Sequence, residues 1–342
     1  MHTPTKRIAT IGISSDSSHI FLGSSLQYGF DDWIKIRTKK VGLCGGDYNN
    51  RISLPLHKYS MVIGHEAIVE ALEDSGRIRQ HRLYVPIPGR RFCIQHRHKK
   101  ECGHCSPYIN RGTSRWDGFA SVSGLEDPEY LIEVPDTLIT YGFLTEPLSV
   151  CEHLLHEVLK LPSSTKKIAI VGLGTLGLLI SSILADLKVA VSGFDVNSGP
   201  NKGTFEMLGA DTSYIHNTEN NLHIYKNDFP IVIETAGSSS SLQNAVDIAS
   251  IGGCVFVLGI PTTCNTLNFH DAIVRKELTI KGVVSAHRKY FLNAITRLMS
   301  WTSHKPDFIK SLVTHELYYT RINEALSLSP KDRIKIAIVF DE

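Results

Sequence analysis

The sequence predicts an α/β chain built from an irregular β-rich unit and a parallel sheet covered by helices on both faces. Three observations carry this reading. The 342 residues exceed what a single core usually holds, so two domains, or one inserted in another, are expected. The first 155 residues contain short β-like runs, "WIKIRTKKVGL", "HRLYVPI" and "YLIEVP", separated by Gly, Pro and Asn turns. From about Lys166 onward, strands alternate with helices of the length that bridges parallel neighbours.

Taken in order, "KKIAIVGLG" reads as a buried strand, and the run from it to Leu187 as a helix. "VAVSGFDV" is the next strand, "KGTFEMLGA" a helix, "IVIETAG" a strand, "LQNAVDIAS" a helix and "GCVFVLGI" a strand. After about Tyr290, the helical "FLNAITRLMSW" and "FIKSLV" and the strand "RIKIAIVFDE" follow. No internal repeat, low-complexity tract or heptad pattern is present.

Composition narrows the function classes. The net charge of +2, from 36 basic and 34 acidic residues, provides no broad field for nucleic acid, and only "QHRHKK" is strongly basic. The apolar runs are interrupted by glycines and polar residues, and "MHTPTKRIAT" lacks the apolar centre of a signal peptide. A soluble cytoplasmic protein with neither a membrane nor a nucleic-acid partner is expected. Seven cysteines, an odd number, suit a reducing compartment where thiols serve packing, metals or chemistry.

In "IAIVGLGTLGLLISSILADLKVAVSGFDV", Gly172, Gly174 and Gly177 form G-x-G-x-x-G between a strand and a helix. That context lets the turn tighten and the backbone approach a pyrophosphate, with the free N–H groups of the helix start facing the phosphates. Asp195 closes the next strand, where a carboxylate binds the ribose hydroxyls of NAD and repels a 2′-phosphate. Lys202 nearby leaves NADP open. Thr175, Leu176, Asn197, Thr235, Gly259 and Ser285 complete the expected nucleotide-contacting set.

A nicotinamide site needs a group that handles the alcohol. Cys44 in "KVGLCGGDYNN" and His65 and Glu66 in "MVIGHEAIVE" supply a thiol, an imidazole and a carboxylate, all acceptable zinc ligands. Taken alone, each also has a plain reading as a core cysteine, a turn histidine and a surface acid.

These stretches resemble the zinc-dependent medium-chain dehydrogenases, and within them the archaeal-type glucose dehydrogenases. "IKIRTKKVGLCGGD" is similar to the segment with the first zinc ligand, "VIGHEAIVE" to the His-Glu segment, and "LTEPLSVCEHLL" to the segment whose glutamate, here Glu146, approaches the zinc. "VVSAHRKYF" and "SLVTHEL" resemble the later part of the sugar branch. The resemblance implies a GroES-like catalytic domain, residues 1–155 and 290–342, interrupted by a Rossmann NAD(P)-binding domain, residues 156–289. It further implies a catalytic zinc on Cys44, His65 and Glu146, with Glu66 a ligand in some states or an acid behind the ligands. A homodimer or homotetramer acting on a small alcohol, polyol or sugar-like substrate is expected.

The family often carries a structural zinc lobe with four cysteines in C-x2-C-x2-C-x7-C spacing. Here "RRFCIQHRHKKECGHC" offers Cys93, His96, Cys102 and Cys105 instead, an acceptable tetrahedral set. The sequence also departs from the family near the substrate. Gly46 replaces the Ser or Thr that passes the alcohol proton onward, and Val122, Val150 and Ser285 stand where sugar-binding members use longer polar groups. The reading is a zinc-dependent NAD(P) alcohol or polyol oxidoreductase. A metal-free reductase of the same superfamily and a non-catalytic NAD-binding sensor are its rivals.

Overall fold

The computed structural model of the chain describes residues 8–13, 20–25, 32–49, 61–91, 108–112, 118–162, 167–209, 212–216, 222–260, 270–284 and 287–340. The β-rich unit is built on a sheet in which Leu131–Val134, Leu83–Pro86, Glu66–Ala71, Ile34–Leu43, Lys335–Val339 and Val313–Tyr318 lie side by side. The late strand Lys335–Val339 enters beside the early Ile34–Leu43, pairing Ile336 with Leu43 and Ala337 with Gly42. The β-rich unit is therefore made from segments on both sides of the stretch that forms the second sheet.

The second sheet is parallel throughout and has six strands in the order Thr212–His216, Ala190–Asp195, Lys167–Val171, Phe229–Glu234, Ala249–Val257 and Thr279–Gly282. In chain order this is 3-2-1-4-5-6, the doubly wound arrangement that binds a dinucleotide where the order reverses. Its central strands read as unbroken apolar runs because both faces are covered: Ile168, Ala169, Ile170 and Val171 are all buried. The helix Thr175–Asp186 is buried on every side from Gly177 to Ala185, with the Ser181 hydroxyl donating back to the Gly177 carbonyl. Ser238 caps the helix Ser239–Ile248 by a reciprocal pair of bonds with Ser241, the local signal that starts it.

Between the sheets runs the helix Thr145–Val158, almost wholly buried. One apolar core extends from Ile68 and Val85 of the first sheet, through Leu148, Cys151 and Leu154 of this helix, to Ile168 and Ile170 of the second. Arg288–His304 packs alongside through Tyr290, Phe291, Ala294, Ile295, Leu298 and Trp301, a helical stripe. Each large side chain buried here contributes about 1.5–3 kcal/mol, so the joint is a packed core and not a linker. Glu157 on the buried helix also accepts from Lys281 of the edge strand Thr279–Gly282. Among the described residues no helix is long and apolar enough to cross a membrane.

Candidate active site

The register of the first sheet explains how two distant stretches meet. Gly42 stands opposite Glu66 in an antiparallel pair. Cys44, just past one strand, and His65, just before the other, therefore emerge at the same end of the sheet. Their ligand atoms and that of Glu66 all lie within 4.8 Å of one another. Gly42 makes room for this, since a Cβ there would come within 2.3 Å of Glu66 Oε2. Among the described residues this is the one group of three metal-capable side chains.

Asp47 braces the pair from below. Its Oδ2 accepts from the Cys44 backbone N–H at 2.8 Å, and its Oδ1 lies 3.9 Å from His65 Nδ1. Neither Asp47 Oδ1 nor His65 Nδ1 has a hydrogen-bond partner, although both are buried. Glu146, on the first turn of the helix Thr145–Val158, is also buried and feels the charges of His65 and Glu66. It lies outside the close group, so the structure joins Cys44 and His65 to Glu66 first and sets Glu146 near them.

The electrostatics gather acidic groups around His65. Burial raises the carboxyl groups of Asp47 and Glu146 above their ordinary values. Burial alone would discharge His65, but its hydrogen bond to Cys44 and the negative groups Cys44, Asp47 and Glu146 outweigh this and hold the imidazole well above its usual value. Three carboxyl groups and a sulfur thus surround one imidazole and one lysine, with orphaned polar atoms between them. Sulfur, imidazole and carboxylate together fit zinc.

That lysine is Lys335, which sequence reasoning missed. Its Nζ lies 2.7 Å from both Glu66 oxygens and 3.1 Å from the Leu43 carbonyl, and it is 2% exposed. Burial would discharge it, but Glu66 overrides this and holds its pKa above the ordinary value. Lys335 thus engages both oxygens of Glu66, one of which also lies within 4.8 Å of the Cys44 and His65 ligand atoms. The available signal was a lysine inside an otherwise apolar strand, "IKIAIVF".

The dinucleotide turn has the expected form. Gly172 has φ +97°, and a Cβ there would strike Ala236 at 2.7 Å. At Gly177 a Cβ would lie 2.0 Å from the Gly172 carbonyl oxygen, whereas at Gly174 it would meet nothing. The turn is closed toward the sheet and open where a phosphate would approach. Thr235 donates to the Gly172 carbonyl at 2.6 Å, and a Cβ at Gly259 would lie 2.2 Å from the Gly237 nitrogen. Leu176 is half-buried against the core.

Asp195 is more occupied than its sequence position suggested. Its Oδ2 accepts from the Leu173 N–H at 2.6 Å and its Oδ1 from the Asn197 N–H at 2.8 Å, tying the glycine turn to the strand exit. Burial raises its carboxyl above the ordinary value. Thr175 links the two halves of the site, donating to the Ile334 carbonyl at 3.3 Å, one residue before Lys335. Ser285 and the lobe residues Cys93, His96, Cys102 and Cys105 lie outside the described residues.

A doubly wound nucleotide sheet packed on a β-rich unit that gathers Cys44, His65 and Glu66 defines the medium-chain dehydrogenase class. The profile described as Glucose dehydrogenase C-terminus matches residues 139–340, and the chain belongs to that family. Glucose 1-dehydrogenase 2 of Caldivirga maquilingensis is 25% identical over 341 residues, spanning 89% of this chain and 91% of that protein. The fold is similar to Haloferax mediterranei glucose dehydrogenase in complex with NADP, Zn and gluconolactone, with TM-score 0.80, 20% identity, and 98% and 100% of the two chains covered. It is also similar to galactitol-1-phosphate dehydrogenase from Escherichia coli, with TM-score 0.79, 20% identity, and 97% and 100% covered.

Proposed function

We propose that the chain is a zinc-dependent NAD(P) oxidoreductase that moves hydride between a secondary alcohol, polyol or sugar-like carbon and nicotinamide. The observation that carries it is the union of two sites: the Cys44, His65 and Glu66 group is joined through Lys335 and Ile334 to Thr175, the first residue of the glycine-turn helix. Cys44, His65 and Glu146 would hold the zinc, with Glu66 behind them. When bound, zinc lowers the pKa of a coordinated alcohol and so readies its carbon to release hydride. Asp47 holds the Cys44 backbone and lies 3.9 Å from His65, and Lys335 grips both oxygens of Glu66.

Asp195 favours NAD over NADP within this reading. Val122 and Val150, standing where the family resemblance places longer polar groups, argue against glucose and leave a different polyol, an amino-sugar-like compound or a less polar alcohol as the substrate. We divide the chain into a catalytic domain, 1–155 with 290–342, and a nucleotide domain, 156–289, with a second zinc on Cys93, His96, Cys102 and Cys105. A homodimer or homotetramer is supported by the exposed edge strand Thr279–Gly282, beside exposed Ile260 and Val284. Cytoplasmic action suits the free thiols Cys44, Cys151 and Cys254.

The deciding experiment measures metal per chain and reduced-nicotinamide absorbance with a panel of alcohols, polyols and sugars. Metal together with turnover supports the proposal. A fully active metal-free preparation favours the metal-free reductase, and a metal-loaded protein that binds NAD without turnover favours the sensor.

A further inference from the structure

Two arginines from distant parts of the chain are fastened to the same turn. Arg77 lies in the connection between the strands Glu66–Ala71 and Leu83–Pro86, and its Nη2 donates to the carbonyls of Pro128 at 3.3 Å, Glu129 at 3.2 Å and Leu131 at 3.2 Å. Arg288 opens the helix Arg288–His304, which follows the last strand of the parallel sheet. Its Nη1 donates to the Glu129 carbonyl at 2.9 Å and its Nη2 to the Leu131 carbonyl at 3.3 Å. Two carbonyls are therefore shared, and the two guanidinium groups converge on one spot where the units join.

Neither charge is cancelled there. Among the described residues neither arginine makes an ion pair, and Arg77 Nε and Nη1 and Arg288 Nε have no hydrogen-bond partner. The first turn of the helix holds no acidic residue. Burial and then the charge of Arg77 lower the Arg288 pKa, and the exposed Glu129 opposes them only in part. Two like charges at one place repel, and the carbonyl dipoles hold them together without neutralising them.

The pair is also held in place from behind. Tyr290, just beyond Arg288, is 5% exposed and stacks on His153 of the buried helix Thr145–Val158, with ring centres 4.9 Å apart. The turn that supplies the carbonyls is locked by Asp127, whose side chain accepts from the Glu129 N–H at 2.9 Å. Two planar forks with spare N–H groups, anchored in this way, suit an anion with several oxygens. A phosphate group carries close to two charges near neutral pH and can accept from both forks at once, whereas a carboxylate satisfies one.

We propose that Arg77 and Arg288 form a binding site for a phosphate group, free or as a monoester, at the seam between the two units. An oxyanion there ties the start of the helix Arg288–His304 to the β-rich unit, so its binding steadies the joint. The site uses no residue of the metal group or of the glycine turn, and the assignment stands whether or not the chain binds NAD.

The test is calorimetric titration of the full-length protein with inorganic phosphate, glycerol 3-phosphate and acetate, at constant ionic strength set by chloride. Inorganic phosphate should bind and raise the Tm by on the order of 5 °C at a hundredfold excess over its Kd. Acetate, which fills one fork, should bind roughly tenfold more weakly. Tighter binding of inorganic phosphate than of glycerol 3-phosphate would identify the free ion as the ligand, and the reverse order a phosphorylated metabolite. R77Q, at an exposed position, should fold normally and weaken phosphate on the order of ten- to a hundredfold. R288K, which keeps the charge but loses the fork, should weaken it less. Amide hydrogen exchange in the first turn of the helix Arg288–His304 should slow with phosphate in the unmodified protein and not in R77Q. Phosphate binding no tighter than acetate, or unaltered in folded R77Q, would overturn the site, and binding without slower exchange would overturn the steadying of the joint.

Discussion

The ammonium group of Lys335 sits equidistant, at 2.7 Å, from the two carboxylate oxygens of Glu66, and both side chains are almost completely enclosed. Breaking a buried pair strands one charge, at a cost of about 3–5 kcal/mol, whereas removing both is far cheaper. Lys335→Met should therefore lower the urea midpoint more than the double variant with Glu66→Gln. Additive losses from the two single variants would show that the pair is not coupled.

Cys44 contributes to the metal group and to no part of the nucleotide turn. Cys44→Ser should remove the catalytic metal and turnover, at least a hundredfold by the scale of lost metal activation, while NAD affinity stays within about twofold. Metal analysis and NAD titration on one preparation check this. Retained turnover without metal at this site would sink the assignment.

Asp195→Ala should narrow the preference for NAD over NADP, because the carboxylate that would face a 2′-phosphate is gone. The same change leaves the Leu173 and Asn197 N–H groups without their acceptor. It should thus also cost roughly 1–3 kcal/mol of stability. The two dissociation constants and an unfolding curve test both halves, and tighter NADP binding by the unmodified protein would refute the first.

Cys105→Ser should lower the metal content by one zinc per chain and reduce thermal stability, while the zinc on Cys44 and His65 remains. The motive is a set of three thiols and an imidazole at chelating spacing. Unchanged metal content and Tm would count against a zinc in that lobe.

By the family resemblance Gly46 stands where a proton-passing hydroxyl is expected, and a Cβ added there meets only Cys44 Sγ, at an ordinary 3.9 Å. Gly46→Ser should fold as well as the natural chain, with a Tm change of no more than about 4 °C. If proton release limits turnover, kcat should rise and its pH profile move. An unchanged kcat and profile would mean that another route carries the proton.

What could be read from the sequence was what is local. Gly172, Gly174, Gly177 and Asp195 fall within one strand-turn-helix-strand stretch, where spacing alone dictates geometry. Cys44 and His65 were recognisable as donors, but their order of approach was not: the register that places Gly42 opposite Glu66 brings Glu66 into the close group ahead of Glu146. Lys335 showed only as a lysine inside an apolar strand, because sheet pairing, not sequence proximity, delivers it to Glu66. Val122 and Val150 were noted as departures, and their burial explains how the chain accommodates them, by packing them into its cores.

The Lys335–Glu66 pair is separated by 269 positions, and the whole parallel sheet is threaded between its members. During synthesis Glu66 and its neighbours emerge long before their neutralising partner, so the early strands must wait as an open-edged, acid-bearing sheet while the intervening unit is made. Closing so long a loop is slow, and it becomes easier once the intervening segment has compacted and drawn its ends together. Early compaction of the parallel-sheet unit should therefore speed closure of the sheet that carries Cys44 and His65, and nucleotide present during refolding should shorten that step.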